Sequence, residues 1–146
     1  MYLLNQVILP QHYNIMAYFA RVINGTVTKV LKGSQEFFDT YKSEEEGQWI
    51  QTSYNTRRGV HYQPNSDNPS EDQSKALRGN FAGVGWKYDS ELDAFYKPQP
   101  HVSWTLNTSS FEWEPPVPKP TGSFGGLYYW NEINQEWLHI SSSNIL

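Results

Sequence analysis

One pattern occurs three times in this sequence: Trp86-Lys87-Tyr88-Asp89, Trp104-Thr105-Leu106-Asn107 and Tyr128-Tyr129-Trp130-Asn131, each followed after five residues by a closing aromatic residue, Phe95, Trp113 or Trp137. Residues two apart lie on one face of a strand, so the first and third residues of each copy share a face. An Asp or Asn after an apolar strand residue opens a turn, because its side chain bonds back to the backbone. The pattern therefore predicts three short β-hairpins, over residues 86–96, 104–114 and 128–139, each with a plate of aromatic side chains.

Two roles for these aromatic side chains follow from their chemistry, and the sequence leaves both open. Exposed rings on a β scaffold can stack on sugar rings, whereas buried rings supply core area of about 150–250 Å² each. The repeated aromatics alternate as one inward face does, which favours the core role. A thin array of hairpins can also lie against a larger surface. The candidate interaction residues are Trp86, Tyr88, Phe95, Trp104, Trp113, Tyr128, Trp130 and Trp137.

The region before the repeats opens with a second kind of hairpin signal. Two β-rich runs flank the dipeptide Asn24-Gly25. Both residues of this dipeptide accept the positive φ that a type I′ turn requires, and such a turn joins the two strands of a tight hairpin. We therefore expect a hairpin over residues 17–30.

A short helix and a further strand are expected next. Ser34 precedes amide and acidic residues, as a helix N-cap does, which predicts one short amphipathic helix near residues 35–43. Residues 49–54 alternate as a strand does. The three glycines within residues 77–85 indicate close approach of the backbone to a neighbour, or bulges in a strand.

Two proline-rich stretches join the aromatic hairpins. They cover residues 97–100 and 114–120, and their prolines cannot donate ladder hydrogen bonds, so we expect stiff extended spacers. The predicted fold class is mainly β, with short hairpins that carry aromatic plates, proline-rich spacers between them and one short helix. The sequence predicts a division into three regions: an N-terminal arm over residues 1–15, a hairpin, helix and strand region over 16–85, and three aromatic β-hairpin repeats over 86–146.

The N-terminal arm is apolar but irregular. Pro10 interrupts it, and a regular strand pattern begins only at Met16, so the sequence leaves open whether Met1 or Met16 is the native start. An extended arm of about 15 residues reaches up to ~50 Å, far enough to dock on a neighbouring subunit. The alternative is a terminus without fixed structure. The candidate contact residues are Tyr2, Leu3, Leu4, Val7, Ile8 and Leu9.

Composition and charge limit the classes of partner. The chain of 146 residues carries a net charge of −4, which disfavours nucleic acid as the main partner because phosphate binding needs a basic face. It contains no cysteine, so disulfides and thiolate metal sites are excluded. No apolar run approaches the roughly 20 residues of a membrane helix. We expect neither nucleic acid nor a membrane as partner.

The sequence contains no pattern typical of catalysis or of cofactor binding. Asp89, Glu91 and Asp93 alternate as in a calcium loop, but Ala94 stands where that loop needs Gly and Pro100 where it needs Glu. The four histidines lack metal-ligand spacing, and the common nucleotide-binding and nucleophile motifs are absent. The sequence therefore predicts no enzyme activity, no cofactor and no metal site.

Several stretches of the chain carry a family resemblance. They are Met16-Ala-Tyr-Phe-Ala-Arg-Val-Ile-Asn-Gly-Thr-Val-Thr-Lys-Val30, Gly47-Gln-Trp-Ile-Gln-Thr-Ser-Tyr-Asn-Thr-Arg57, Leu77-Arg-Gly-Asn-Phe-Ala-Gly-Val-Gly85 and Ser103-Trp-Thr-Leu-Asn107. In combination they resemble a family of small proteins of marine tailed phages, especially phages that infect cyanobacteria. The resemblance covers about residues 16–140 and leaves out the arm. Since that family is regarded as virion-associated, the resemblance implies a virion location, without identifying site residues.

The leading hypothesis is a non-enzymatic structural or accessory protein of a phage virion. Decoration of the capsid is preferred to a tail or baseplate position, because a small acidic β protein suits many-copy attachment to a surface. The expected partners are other virion proteins, of the capsid or the tail, and further copies of this chain. The alternative is a tail-associated module that recognises host-surface glycans through exposed Trp and Tyr side chains.

Overall fold

The computed structural model describes residues 15–41, 46–121 and 127–140. Within these ranges the protein is mainly β, with small antiparallel sheets and one short helix, as the sequence predicts. The arm residues from Tyr2 to Leu9, and residues 42–43 of the predicted helix, lie outside the described residues. In chain order the elements are β1 (Met16–Ile23), β2 (Thr26–Ser34), α1 (Gln35–Thr40), β3 (Gln48–Thr52), β4 (Thr56–Arg57), β5 (Val60–His61), β6 (Lys87–Asp89), β7 (Ala94–Tyr96), β8 (Thr105–Asn107), β9 (Glu112–Glu114), β10 (Tyr128–Asn131) and β11 (Glu136–His139).

The first hairpin forms where the sequence predicts it. Strands β1 and β2 pair in antiparallel register and are joined by Asn24 and Gly25, which adopt φ values of 50° and 74°. Positive φ at both positions is the type I′ geometry that matches the twist of paired strands. A bulge between Arg21 and Val22 shifts the register once, and β3 pairs with the other edge of β1. Strand β1 is therefore flanked by a partner on each side.

Helix α1 packs on this sheet at the predicted position. Its N-cap Ser34 accepts a hydrogen bond from the backbone N–H of Phe37 at 3.1 Å, which satisfies one of the free donors of the first turn. Phe38 is buried against Phe19 of β1 and Trp49 of β3, with ring centroids 4.3 and 4.7 Å away. The helix and the sheet thus enclose an aromatic cluster between them.

The main sheet has five strands in the order β3-β1-β2-β6-β7. Its last two strands are the first aromatic repeat, which joins β2 through the pairing of Thr26 with Lys87. Backbone bonds from the Val27 N–H to the Trp86 carbonyl at 2.9 Å, and from the Gly85 N–H to the Val27 carbonyl at 2.8 Å, extend this junction. The predicted division after Gly85 therefore runs through one continuous sheet. The second and third repeats form separate two-stranded sheets.

The three repeats turn with one backbone geometry. In each, the Asp or Asn side chain accepts hydrogen bonds from the backbone N–H groups two and three residues later, at 2.9–3.2 Å. The residue four positions after it has a positive φ of 48–55°. The prediction that these Asp and Asn residues open turns is therefore confirmed. The residue pairs are Asp89 with Asp93, Asn107 with Phe111, and Asn131 with Gln135.

Residues 77–82, here called the bracket, connect the main sheet to the smaller hairpins. The side chain of Asn80 is buried and makes three hydrogen bonds to three different parts of the chain. Its amide N–H groups donate to the carbonyl of Phe95 at 2.9 Å and to the carbonyl of Phe111 at 3.2 Å. Its amide oxygen accepts from the backbone N–H of Arg58 at 2.9 Å. One side chain therefore holds the first repeat, the second repeat and the β4–β5 turn together.

Two further residues show how closely the bracket is packed. Gly79 adopts a φ of 75°, and a Cβ atom there would collide with the ring of Phe111. Thr52 of β3 is buried, and its hydroxyl accepts from the Ala82 N–H at 2.9 Å and donates to the Asn80 carbonyl at 3.4 Å. The close backbone approach predicted for this stretch is thus observed at Gly79.

The buried apolar cluster beside the bracket is small. Its members come from β1, β2, the bracket and the first repeat, and half-buried side chains from β2, β3 and the first repeat pack around it. Because few apolar side chains are fully enclosed, the polar links of the bracket carry a larger share of the stability. The buried members are Ala20, Val22, Val27, Ala82 and Phe95, and the surrounding ones are Val30, Ile50, Trp86 and Tyr88.

The change Asn80→Ala tests the bracket directly. It leaves the buried Phe95 carbonyl and two partly buried groups, the Phe111 carbonyl and the Arg58 N–H, without their partner, and a fully buried unsatisfied group costs about 1–3 kcal/mol. We expect the free energy of unfolding to fall by on the order of 3 kcal/mol, measured by urea denaturation. Asn68→Ala, at an exposed asparagine, is the matched control and should unfold like the unchanged protein. Equal urea midpoints for the two variants would contradict the role given to Asn80.

Candidate functional site

The predicted aromatic residues divide between the interior and the surface. Phe95 is fully buried, with 0% exposure, and Trp130 is nearly so at 8%. The other six predicted residues are half-buried: Trp86, Tyr88, Trp104, Trp113, Tyr128 and Trp137. In each repeat the closing aromatic residue lies directly opposite the third residue of the pattern, as the predicted hairpins require. The opposed pairs are Tyr88 with Phe95, Leu106 with Trp113, and Trp130 with Trp137.

Three indoles from the second and third repeats form one group, here called the tryptophan cluster. The ring centroid of Trp104 lies 6.0 Å from that of Trp130 and 6.0 Å from that of Trp137, and the last two are 5.3 Å apart. Each pair is arranged edge to face, which the charge distribution of aromatic rings favours. The His101 ring adds a contact to Trp104 at 5.4 Å. The cluster therefore joins the last two repeats.

The carboxylate of Glu132 fixes the tryptophan cluster in place. It accepts hydrogen bonds from the backbone N–H of Ser103 at 2.8 Å, from the Ser103 hydroxyl at 2.7 Å and from the Trp130 indole N–H at 2.7 Å. The Trp130 indole first, and then Ser103, lower the pKa of Glu132, because these donors stabilise the charged form. This role of Glu132 was not predicted, since the other repeats have Ser90 and Thr108 at the same position.

The closing tryptophans hold the proline-rich spacers. The Trp113 indole N–H donates to the carbonyl of Lys97 at 2.7 Å, and the Trp137 indole N–H donates to the carbonyl of Val117 at 2.8 Å. An extended proline-rich chain makes no internal hydrogen bonds, so its carbonyls are available to such donors. Phe95, the closing residue of the first repeat, has no side-chain donor. Each of the last two hairpins therefore fastens the spacer that precedes it.

A groove of about 500 Å³, here called the aromatic groove, is lined by the first and second repeats, by the spacer between them and by one residue each of β4 and the bracket. Three predicted residues, Trp86, Trp104 and Trp113, belong to its lining, and its volume lies in the range of small-ligand sites. The other five predicted aromatic residues do not line it. The remaining lining residues are Arg57, Asn80, Lys97, Pro98, Pro100, Phe111 and Glu112.

The sequence predicted only part of this lining. Pro98 and Pro100 were expected as spacer residues and not as the wall of a groove. Phe111 ends the turn of the second repeat, where Asp93 and Gln135 stand in the other two repeats. The sequence contained one signal for Phe111: it is an aromatic residue at a turn position where the other two repeats have a polar residue. The charged lining residues had no such signal, because they come from distant parts of the chain.

Two ion pairs border the aromatic groove. The Arg57 guanidinium pairs with Asp67 and lies 3.7 Å from the ring centroid of Tyr62. Glu112 pairs with Arg58 at 2.8 Å, and the hydrogen bond to Glu112 raises the pKa of Arg58. The charges of Arg57 and Glu112 are thus each offset by a partner outside the groove lining.

Lys97 is the third charged residue of the groove and differs from the other two. Its ammonium nitrogen lies 5.7 Å from the ring centroid of Trp86, within the range of a cation–π contact. In the described part of the chain no carboxylate lies within 4.0 Å of this nitrogen. Its counterpart in the next spacer, Lys119, lies 5.5 Å from the ring centroid of Trp137 and is not part of the groove.

Two carboxylates of the first repeat, those of Asp89 and Asp93, accept hydrogen bonds from other groups of the protein. Asp89 accepts backbone N–H bonds within its own turn, and the bond from Leu92 contributes most to lowering its pKa. Asp93 accepts a hydrogen bond from the Tyr88 hydroxyl and another, at 2.8 Å, from the Arg78 guanidinium. Both bonds lower the pKa of Asp93, and the bond from Tyr88 has the larger effect. These groups therefore stabilise the turn and link it to the bracket.

The described residues contain no group of three or more His, Asp or Glu side chains that could hold a metal ion. None of their helices is long and apolar enough to cross a membrane. Comparison with known proteins gives no identification: no protein-family model, no curated protein and no solved structure matches this chain. The resemblance to phage proteins therefore stays a prediction.

The lowered pKa of Glu132 leads to a prediction about acid stability. A carboxylate with a lowered folded-state pKa stabilises the protein above its unfolded value of about 4.3, and this contribution is lost as pH falls through the lower folded value. We therefore expect the thermal midpoint to fall as pH is lowered from about 5 to about 3. Glu132→Gln should lower the midpoint at pH 7 and make the acid dependence shallower, since an amide cannot accept all three bonds.

Glu136→Gln is the matched control for that measurement, because Glu136 is an exposed residue of the same hairpin. Its thermal midpoint should follow the unchanged protein across the pH range. An acid profile for Glu132→Gln that superimposes on the control would remove Glu132 from the account of the cluster.

Proposed function

We propose that this chain is a non-enzymatic structural or accessory protein of a tailed-phage virion, attached by its surface to other virion proteins. Decoration of the capsid is preferred to a tail or baseplate position, because a small acidic β protein suits attachment in many copies. Its partners are capsid or tail proteins, and copies of this chain can contact one another through the same surface.

The observation that carries the proposal is an exposed apolar groove at the start of the described chain, here called the N-terminal groove. It has a volume of about 430 Å³, and Ile15, Met16 and Tyr54 line it while being 63%, 55% and 55% exposed. Tyr18 and Leu77 are also in its lining. Exposed apolar surface of this kind is typical of contacts with another protein. The apolar arm of the sequence leads directly into Ile15.

The polar groups of the protein support a non-enzymatic role. Glu132, Asp89 and Asp93 accept hydrogen bonds from neighbouring side chains or turns, and Glu112 pairs with Arg58. Each of these carboxylates thus has a structural use.

The sequence resemblance supports the virion setting. Its first two stretches correspond to β1, β2, β3 and β4, and the third contains the bracket. The resemblance therefore concerns the residues that build the scaffold and its central links. The resemblance supplies a virion setting and no catalytic residues, which agrees with a structural role.

Mass spectrometry of purified particles tests the location. We expect this chain among the virion proteins, with copies in the hundreds if it decorates the capsid and about a dozen or fewer if it belongs to the tail. The known major capsid protein of the same particles serves as the internal standard for copy number. Absence of the chain from purified particles would refute the structural proposal.

Removal of residues 1–15 tests the docking surface. The body should keep its fold, because the first strand begins at Met16, while occupancy in particles should fall. Six apolar arm side chains in water forfeit roughly 1.5–3 kcal/mol each that full burial supplies, which gives the arm a reason to dock. Occupancy is measured by mass spectrometry, and circular dichroism checks the fold.

A pair of point variants provides the control for this truncation. Ile15→Ser changes the exposed lining of the N-terminal groove, whereas Leu127→Ser changes a side chain of similar exposure, 57%, outside it. Occupancy should fall for Ile15→Ser and stay unchanged for Leu127→Ser. Equal occupancy of the truncated, substituted and unchanged proteins would exclude the arm and its groove from attachment.

A second candidate function is glycan recognition on the host surface, as part of the tail. The aromatic groove supports it, because Trp86, Trp104 and Trp113 from two repeats are brought to one half-buried surface. Binding of the purified protein to isolated host-surface polysaccharide, together with about a dozen or fewer copies per particle, would favour this function over capsid decoration.

A further inference from the structure

We propose that the aromatic groove is a binding site for an anionic saccharide, one that carries carboxylate or sulfate groups. The inference rests on the glycan-recognition candidate and adds to it the chemical class of the ligand. It depends on three features of the groove: the indole surfaces, a cation without a carboxylate partner and the segment that already forms one wall.

The indole surfaces give the groove its affinity for sugar rings. Trp86, Trp104 and Trp113 all line it and are all half-buried. A pyranose ring has a flat face of C–H groups, which packs on the face of an aromatic ring. The N–H of Trp113 already donates to the Lys97 carbonyl, so this residue offers a ligand its ring surface and no free donor.

The charges of the groove select for a negative ligand. Glu112 is offset by Arg58, and Arg57 is offset by Asp67, whereas the Lys97 ammonium has no carboxylate within 4.0 Å in the described chain. The groove therefore presents one uncompensated positive charge, although the whole chain carries a net charge of −4. A ligand that combines a sugar ring with an anionic group satisfies both the indoles and Lys97.

The same geometry disfavours a proline-rich peptide as the ligand. Recognition of such peptides uses aromatic grooves, to which extended proline-rich segments dock. Here Pro98 and Pro100 of the chain's own spacer form part of the wall, and the Trp113 indole N–H is bonded to that spacer. The place of an extended proline-rich segment is thus already occupied from within the chain.

The test titrates the full-length protein with three hexasaccharides: a galacturonic acid hexamer, a sulfated galactose hexamer and a neutral glucose hexamer. Calorimetry measures affinity, and indole emission reports contact with the groove, because three of the six tryptophans line it. We expect an anionic hexamer to bind more tightly than the neutral one, and added salt to reduce the difference. The tighter of the two anionic hexamers identifies the preferred group.

Two matched variants isolate the role of the cation. Lys97→Gln removes the charge inside the groove and leaves the backbone carbonyl that Trp113 binds, whereas Lys119→Gln removes the corresponding charge over Trp137, outside the groove. Affinity for the anionic hexamer should fall about two- to fivefold for Lys97→Gln, the size expected of one exposed charge pair, and stay unchanged for Lys119→Gln. Thermal midpoints confirm that both variants are folded.

The outcomes separate this inference from the functions it builds on. Equal affinity for the anionic and neutral hexamers, or no effect of Lys97→Gln, would refute the anionic ligand and leave glycan recognition standing. No binding of any hexamer would refute both, and a proline decamer that binds in their place would do the same. The virion proposal is judged separately, by the copies found in particles.

Discussion

The buried amide of Asn80 is the interaction on which the rest of this structure depends. Short hairpins enclose little apolar area, so they cannot hold their relative positions by burial alone. Asn80 supplies the missing connection, because it bonds at once to Phe95 and Phe111 of two repeats and to Arg58 of the β4–β5 turn. The same residue's carbonyl accepts from Thr52, which ties the connection to the main sheet. Burying these polar groups away from water does not destabilise the fold, because each of them has a hydrogen-bond partner.

Local features of the fold could be read from the sequence, and distant contacts could not. The Asn24-Gly25 turn, the Ser34 cap and the three Asp or Asn turns each depend on residues at most a few positions apart, so the pattern alone determines them. The bond from Asn80 to Phe111 spans 31 residues, and that from Ser103 to Glu132 spans 29. The identity of an Asn or Glu residue does not indicate a hydrogen-bond partner about 30 residues away. The sequence therefore did not predict the bracket, the support of the tryptophan cluster or most of the groove lining.

The two roles that the sequence left open for the aromatic residues are not exclusive in the structure. Phe95 and Trp130 are buried, as core residues are, whereas Trp86 and Trp104 line the aromatic groove while remaining half-buried. Trp104 also packs in the tryptophan cluster, so the second and third repeats support the wall of the groove from behind. The wall of the aromatic groove is therefore backed by the same rings that give the small hairpins their interior.

The fastened spacers also determine how the chain would respond to tension. Each of the two indole bonds closes a loop in the chain, from Lys97 to Trp113 and from Val117 to Trp137, and the turn of the hairpin lies inside that loop. A pull along the chain acts across the indole bond, which must break before the spacer inside the loop is loaded. The spacer can then straighten and lengthen the molecule while the strands stay paired. Two such loops in series let the molecule lengthen in small steps under load, one indole bond at a time.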